Sequence, residues 1–447
     1  MRKLTTLNLA FITIASVDGI RNLPAAALMG DAIFLYFGLA LCFFLLPCAI
    51  VSNWFSKQSA EGIYGWVKQS LGTHLGFIAI WLQLIQNIMV YPTFLSFIGG
   101  MFLYCVDPNL ANNKYLLFLI INTLIWTLTW INIRGFHLSN KLNTFCSIFG
   151  IFLPFILILI IGCIWSLYHP HVVHLTPPAE QNNLWGSLTA IILSFCGIEM
   201  AAVHINNSEP NAFTKAIAIS VIVIFVTMLV GSLTLAMFIP AQHLNLISSI
   251  PELIQLFFTQ IQLDSGALPI NILIMIGCIG CANSWLLSPI QGLLFAQKDY
   301  RPSSRKTDTQ ITGKLLLLQA GGVSMLSMLF LLFPMINTCY WLMLTLATQM
   351  YLLMYFLMFI GAIKQVLKTK THKFIAIAAC FGLLGVNIAL IVSFTPPSAM
   401  MYGSQLEYDI FLGACLIFLA CIPILGKKAL NFAPRNTSAI TPELREI

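Results

Sequence analysis

Three ionisable residues fall inside long apolar runs of the chain: Asp18, Arg21 and Glu199. A charge in a bilayer interior is costly, and it persists there when it pairs, titrates or meets a ligand. Asp18 and Arg21 lie in Ser16-Val17-Asp18-Gly19-Ile20-Arg21-Asn22-Leu23-Pro24, where glycine, polar residues and a proline interrupt the first run near its middle. Glu199 closes Ser194-Phe195-Cys196-Gly197-Ile198-Glu199, and Ala201, Ala202, His204, Asn206 and Asn207 follow it. Aligned on Gly19 and Gly197, the two segments read S-x-x-G-I-R and S-x-x-G-I-E. A helix broken within the membrane frees N–H and C=O groups that lipid cannot satisfy, so the break must line protein or a water-filled cavity. Freed N–H groups attract a carboxylate, and carbonyls at the opposing half-helix end attract an ammonium group. The pair of breaks therefore predicts a receptor for a zwitterion such as an amino acid, centred on Val17, Asp18, Gly19, Ile20 and Arg21 on one side and Phe195, Cys196, Gly197 and Glu199 on the other. The same charges could instead be structural: Asp18 and Arg21 neutralising each other across one turn, and Glu199 capping a helix or bridging to Arg21. Gly19 and Gly197 could equally serve close helix packing.

The elements that must position these residues follow from composition. Of 447 residues 59% are hydrophobic and 8% charged, against about 25% charged in ordinary globular domains. Such a chain cannot cover several water-facing surfaces, which excludes soluble enzymes and cytosolic nucleic-acid binders. A spanning helix needs about 20 mainly apolar residues, and about twelve such runs occur, at 7–29, 32–55, 75–105, 115–133, 142–167, 184–206, 215–239, 268–295, 313–333, 337–363, 373–394 and 406–425. With both termini on one side, that side collects every lysine and arginine except Lys114 and the intramembrane Arg21. The net charge of +7 is thus topological, and the positive-inside rule predicts cytoplasmic termini. A signal peptide is the competing reading of the basic start and Ala25-Ala26-Ala27. Residues 61–71 and 251–261 are too short to cross, and read as an interfacial helix and an amphipathic helix over the external mouth.

The first and sixth runs would cross in opposite directions, which is the form of an inverted repeat. The expected fold is an all-α integral membrane protein, a single polytopic domain over 1–447. Its parts are a first five-helix repeat (1–167), a second (184–363), two further helices (373–425) and a short cytoplasmic tail (426–447). The 12 cysteines sit mostly in apolar runs as small hydrophobes, including Cys278-x-x-Cys281. The sequence calls for no cofactor and no metal. His169, His171 and His174 read as solvated loop residues. A nucleotide pump would need a P-loop, and a membrane enzyme would need paired aspartates, His-x-x-x-His or Gly-x-Ser-x-Gly. None is present.

Several segments resemble the amino acid–polyamine–organocation superfamily, and within it the glutamate/GABA antiporter family. Phe195-Cys196-Gly197-Ile198-Glu199 is similar to the family's F-x-G-x-E on the sixth helix, and residues 202–206 to its A-x-H-x-N. Glu61 to Val67, Ser284-Trp285 with Pro289 and Gly292, and Ser393-Phe394-Thr395-Pro396-Pro397 support the likeness. The resemblance implies a LeuT-like fold with broken helices 1 and 6, and alternating-access exchange of amino acids across a bacterial inner membrane. Val17 to Ile20 would then hold the substrate carboxylate and Phe195 to Gly197 its amine, while Trp285 would pack on its side chain and Asn87 would face the cavity. Asp18 and Glu199 are the candidates for proton coupling. Two alternatives stay open: a proton- or sodium-coupled symporter, with Ser284 and Ser288 as oxygen donors, and a receptor that binds without transport. Two departures matter: Asp18 stands where the superfamily usually has a small residue, and no long C-terminal plug follows Lys427. The expected partners are amino acids and the bilayer, not nucleic acid, with the chain a monomer or homodimer.

Overall fold

The computed structural model describes residues 4–17, 19–134, 146, 152–168, 185–240, 243–300, 308–396 and 405–430. Among them every regular element is helical, and the only extended pairing is an isolated parallel bridge between Leu4 and Ser208. The Glu209 N–H donates to the Leu4 carbonyl at 3.0 Å beside that bridge. Asp18, the loop histidines 169, 171 and 174, the first part of run 142–167 and the tail beyond 430 lie outside the described residues.

In chain order the helices are α1 (Thr6–Val17), α2 (Leu23–Ala27), α3 (Ile33–Ser56), α4 (Gly62–Leu71), α5 (Thr73–Val106), α6 (Lys114–Arg134), α7 (Leu153–Tyr168) and α8 (Trp185–Ser194). There follow α9 (Ala212–Phe238), α10 (Ser249–Gln260), α11 (Ala267–Tyr300), α12 (Asp308–Ser327), α13 (Ile336–Thr369), α14 (Lys373–Val392) and α15 (Gln405–Leu430). Nine segments among the described residues are long and apolar enough to cross a membrane, and they fall on nine of the runs found by hydropathy. The first and sixth runs are each split in two: α1 and α2 flank one break, and α8 and the 3-10 helix Ile198–Asn207 flank the other.

Two helices of 34 residues, α5 and α13, form the centre and are the most buried of the long segments. They pack along each other, α11 lies along α5, and α1 lies along α9. Some polar side chains of these helices bond back to their own helix: Thr13 of α1 donates to Leu9 O (2.9 Å) and Thr348 of α13 to Leu344 O (2.7 Å). The short pieces form as the sequence predicts, α4 over 62–71 and α10 over 249–260. α4 is held by its aromatic face: Trp66 is fully buried, stacks on Phe55 at 5.7 Å and donates from Nε1 to Ser59 O (2.9 Å). On its other side Tyr64 donates to Asp299 of α11 at 2.5 Å, and Lys68 pairs with the same carboxylate.

Candidate functional site

Each break has a local cause. α1 stops at Val17, Gly19 is extended (φ −111°, ψ 111°), and a 3-10 turn over Ile20–Asn22 restarts the helix, closed by Asn22 N–H to Gly19 O at 2.9 Å. Pro24 sits in the first turn of α2, where its missing N–H has no intrahelical partner to lose. At the second break the Phe195 and Cys196 amides make tight bonds three residues back, to Ile192 O and Leu193 O (3.0 and 3.1 Å). Gly197 then turns the chain with φ 110° and ψ 1°, a conformation that glycine adopts without the clash a Cβ brings.

The two breaks meet. A Cβ placed on Gly197 would lie 3.4 Å from Trp285 Cζ2, 3.6 Å from Val17 Cγ2 and 3.7 Å from Met200 Sδ. The end of α1, the turn of the second break and the tryptophan of α11 are therefore in mutual contact, although the sequence separates them widely. Val17, Ile20, Arg21, Cys196, Glu199 and Trp285 are all under 5% exposed, so the centre is closed to water on both sides.

Glu199 does not bridge to Arg21, the pairing that the sequence left open. Its Oε1 accepts from Tyr351 Oη at 2.6 Å and from Gln83 Nε2 at 3.4 Å, and its Oε2 accepts from Tyr355 Oη. The Tyr355 hydroxyl in turn accepts the Gly197 N–H at 3.1 Å. Tyr351 and Tyr355, one turn apart on α13, thus hold both the carboxylate and an amide that the break has freed. Sequence reasoning missed these tyrosines. Their only trace is a band of hydroxyl and amide side chains, Thr345, Thr348, Gln349, Tyr351 and Tyr355, on an otherwise apolar span.

Arg21 lies on the far side of an aromatic wall. Its guanidinium carbon sits 3.6 Å over the centre of the Phe94 ring, and Nη1 reaches Thr93 Oγ1 at 3.5 Å. Phe94 is 6.0 Å from Trp285, which is 6.3 Å from Tyr351, so aromatic rings run from the arginine to the carboxylate network. Arg21 Nε and Asn22 Oδ1 are buried and have no hydrogen-bond partner among the described residues, and no ion pair to Arg21 occurs among them. A buried guanidinium is strongly disfavoured without a counter-charge, and Asp18, three residues before it, lies outside the described residues.

The remaining candidates divide. Asn87 is fully buried, with both ends of its amide engaged: Nδ2 donates to Trp285 O (3.1 Å), and Oδ1 accepts from Gln319 Nε2 (2.5 Å). Pro289 explains why. It has no N–H to give the carbonyl four residues back, which is Trp285 O, and Asn87 supplies the missing donor. Phe195 turns its ring edge-on to Phe37 (5.7 Å), and Cys196 Sγ donates to Ile192 O, so at this break the main chain is what remains for a ligand. Ser284 bonds back to Gly280 O at 3.2 Å. The side chains of His204, Asn206 and Ser288 lie outside the described residues.

Residues 4–421 match the amino acid permease family. An uncharacterised transporter of Legionella pneumophila is 30% identical over 449 aligned residues, which cover 95% of this chain and 96% of that protein. The glutamate/gamma-aminobutyrate antiporter of Lactococcus lactis strain IL1403 is 26% identical, covering 86% of this chain and 80% of its own. With paired helix breaks at a closed polar centre and a family match over nearly its whole length, the chain belongs to the amino acid permease family of the amino acid–polyamine–organocation superfamily, as a multi-pass membrane transporter.

Proposed function

We propose that the protein is a secondary active amino acid transporter that exchanges one amino acid for another by alternating access, in an inner membrane with both termini in the cytoplasm. The observation that carries this reading is the contact of both helix breaks at Gly197, Val17 and Trp285, in a centre buried from both sides. Two five-helix repeats, 1–167 and 184–363, would contribute one broken helix each, with 373–425 appended. The main chain at 17–20 would bind the substrate carboxylate, the carbonyls of 195–197 its amine, and Trp285 would close over the side chain. The unpartnered Nε of Arg21 favours a side chain bearing a carboxylate, in keeping with the name of the Lactococcus relative.

Purified protein in liposomes tests the reading. Vesicles are loaded with one unlabelled amino acid at a time, and uptake of a labelled panel is followed with and without pH and sodium gradients. Uptake that requires internal amino acid is the expected result. Gradient-driven uptake into empty vesicles would make the protein a symporter, and binding without flux a receptor.

A further inference from the structure

Away from the central site, a cavity of about 600 Å³ opens where the C-terminal ends of α3 and α13 meet the start of α14. Its wall is mixed: Ile50, Trp54, Phe374 and Ile375 give it an apolar part, Lys57, Gln58, Gln365, Thr371 and His372 a polar one with a single lysine, and no aspartate or glutamate lines it. Gln365 donates to Gln58 Oε1 across the floor, while its own buried Oε1 has no partner. Trp54 and His372 form one side with ring centres 6.4 Å apart. The link over the mouth is constrained, since Lys370 and His372 both hold positive φ (54° and 58°), which side-chain-bearing residues rarely adopt. Lys364, Lys368, Lys370 and Lys373 lie within a few residues of this lining in sequence, and the chain has no acidic residue from 356 to 406.

The cavity also has an apolar continuation. Phe374 belongs both to its lining and to an exposed stripe on α14 that continues through Ile377, Phe381, Leu384, Ile388 and Ile391. Steps of three and four residues keep that stripe on one helix face. A carboxylate-free pocket at helix ends, with Lys57 in an otherwise mixed wall, beside an indole and open onto an apolar track, matches a ligand with a phosphate at one end and a hydrocarbon chain at the other.

We infer that this cavity binds the headgroup of an anionic glycerophospholipid of the lysine-rich leaflet, with one acyl chain lying along the Phe374–Ile391 face of α14. Lys57 and Lys370 meet the phosphate, His372 and Thr371 donate to it, and Trp54 sits at the level of the glycerol. The site requires only that the chain spans a membrane, whatever the central site carries.

Native mass spectrometry of the full chain tests this, after equilibration in detergent with equimolar phosphatidylglycerol and phosphatidylcholine. Retention of phosphatidylglycerol over phosphatidylcholine is expected. Each lysine near an anionic lipid contributes about fivefold, so Lys57→Gln should weaken retention about fivefold and Lys57→Gln with Lys370→Gln at least tenfold. Lys114→Gln, on the opposite side, should leave it unchanged. Equal retention of the two lipids, or full retention by the double variant, would overturn the site. Displacement of the lipid by millimolar inorganic phosphate or glycerol phosphate would assign the pocket to a soluble anion and overturn it too. Should the variants misfold, the wild-type protein decides: its unfolding temperature must rise with phosphatidylglycerol and not with phosphatidylcholine or free phosphate.

Discussion

The two tyrosines of α13 look interchangeable in sequence but not in the structure, and replacing each by phenylalanine separates them. Tyr351→Phe removes one donor from Glu199. Tyr355→Phe removes a donor from the same carboxylate and also the acceptor of the Gly197 N–H. Both tyrosines are fully buried, so water does not replace what is lost. A hydrogen bond to a charged group contributes about 1.5–3 kcal/mol, and an orphaned buried donor costs about 1–3 kcal/mol. Tyr351→Phe should therefore destabilise by about 1.5–3 kcal/mol, and Tyr355→Phe by about 1–3 kcal/mol more. Reversible unfolding in mixed micelles gives the comparison, repeated in a Glu199→Ala background. In that background Tyr351→Phe should become nearly neutral, because it deletes a hydroxyl already left without its acceptor. Tyr355→Phe should still cost the amide's share. A Tyr355→Phe that is neutral there, or that matches Tyr351→Phe in both backgrounds, would refute the claim that Tyr355 satisfies the broken helix.

Gly197→Ala places a Cβ in ordinary contact at 3.4 Å but forces a left-handed backbone, at a cost of about 1–2 kcal/mol; Gly197→Leu, which must also fit between Val17 and Trp285, should abolish exchange flux. Gly38→Ala, within α3 with nothing inside 4 Å, is the matched control and should unfold no more easily than wild type in the same assay. Asp299→Asn loses the Lys68 ion pair, but both side chains are about a third exposed, so thermal unfolding should shift by less than about 1 kcal/mol. Burial pushes the Glu252 carboxyl above its ordinary range while the His243 imidazole pulls it back. The folded state thus holds that proton more tightly than the unfolded one, a contribution present at low pH and lost as pH rises through the carboxylate range toward the raised value. Glu252→Gln should accordingly unfold at a higher temperature than wild type at pH 7, with the difference closing on acidification.

The breaks were legible because lipid makes them conspicuous. Glycine beside a charge in mid-span has few explanations, and the S-x-x-G-I pairing located both segments to the residue. The long spans were legible for the same reason, and their boundaries at 73–106 and 336–369 lie within several residues of the runs read by hydropathy. What stayed hidden is tertiary satisfaction of polar groups. Pro289 announces that Trp285 O lacks its helical donor, but nothing in the sequence says that Asn87 supplies it. Tyr351 and Tyr355 read as membrane aromatics until Glu199 is set against them. The switch to π-helical turns at Leu41–Leu45 sits where Pro47 has no N–H to give Phe43 O, but a proline in a span does not say which helical variant results.

The bridge joining Leu4 to Ser208 and Glu209 fastens the start of the first broken helix to the end of the second through main-chain atoms alone. Because the bridge is made by main-chain atoms, it survives many changes of residue at these positions. Proline at 209 is an exception, since it removes the donor to Leu4 O. The two interrupted helices, read as separate receptors of one ligand, are thus knotted at one end into a single lever, whose stiffness evolution can preserve without leaving a mark in the sequence.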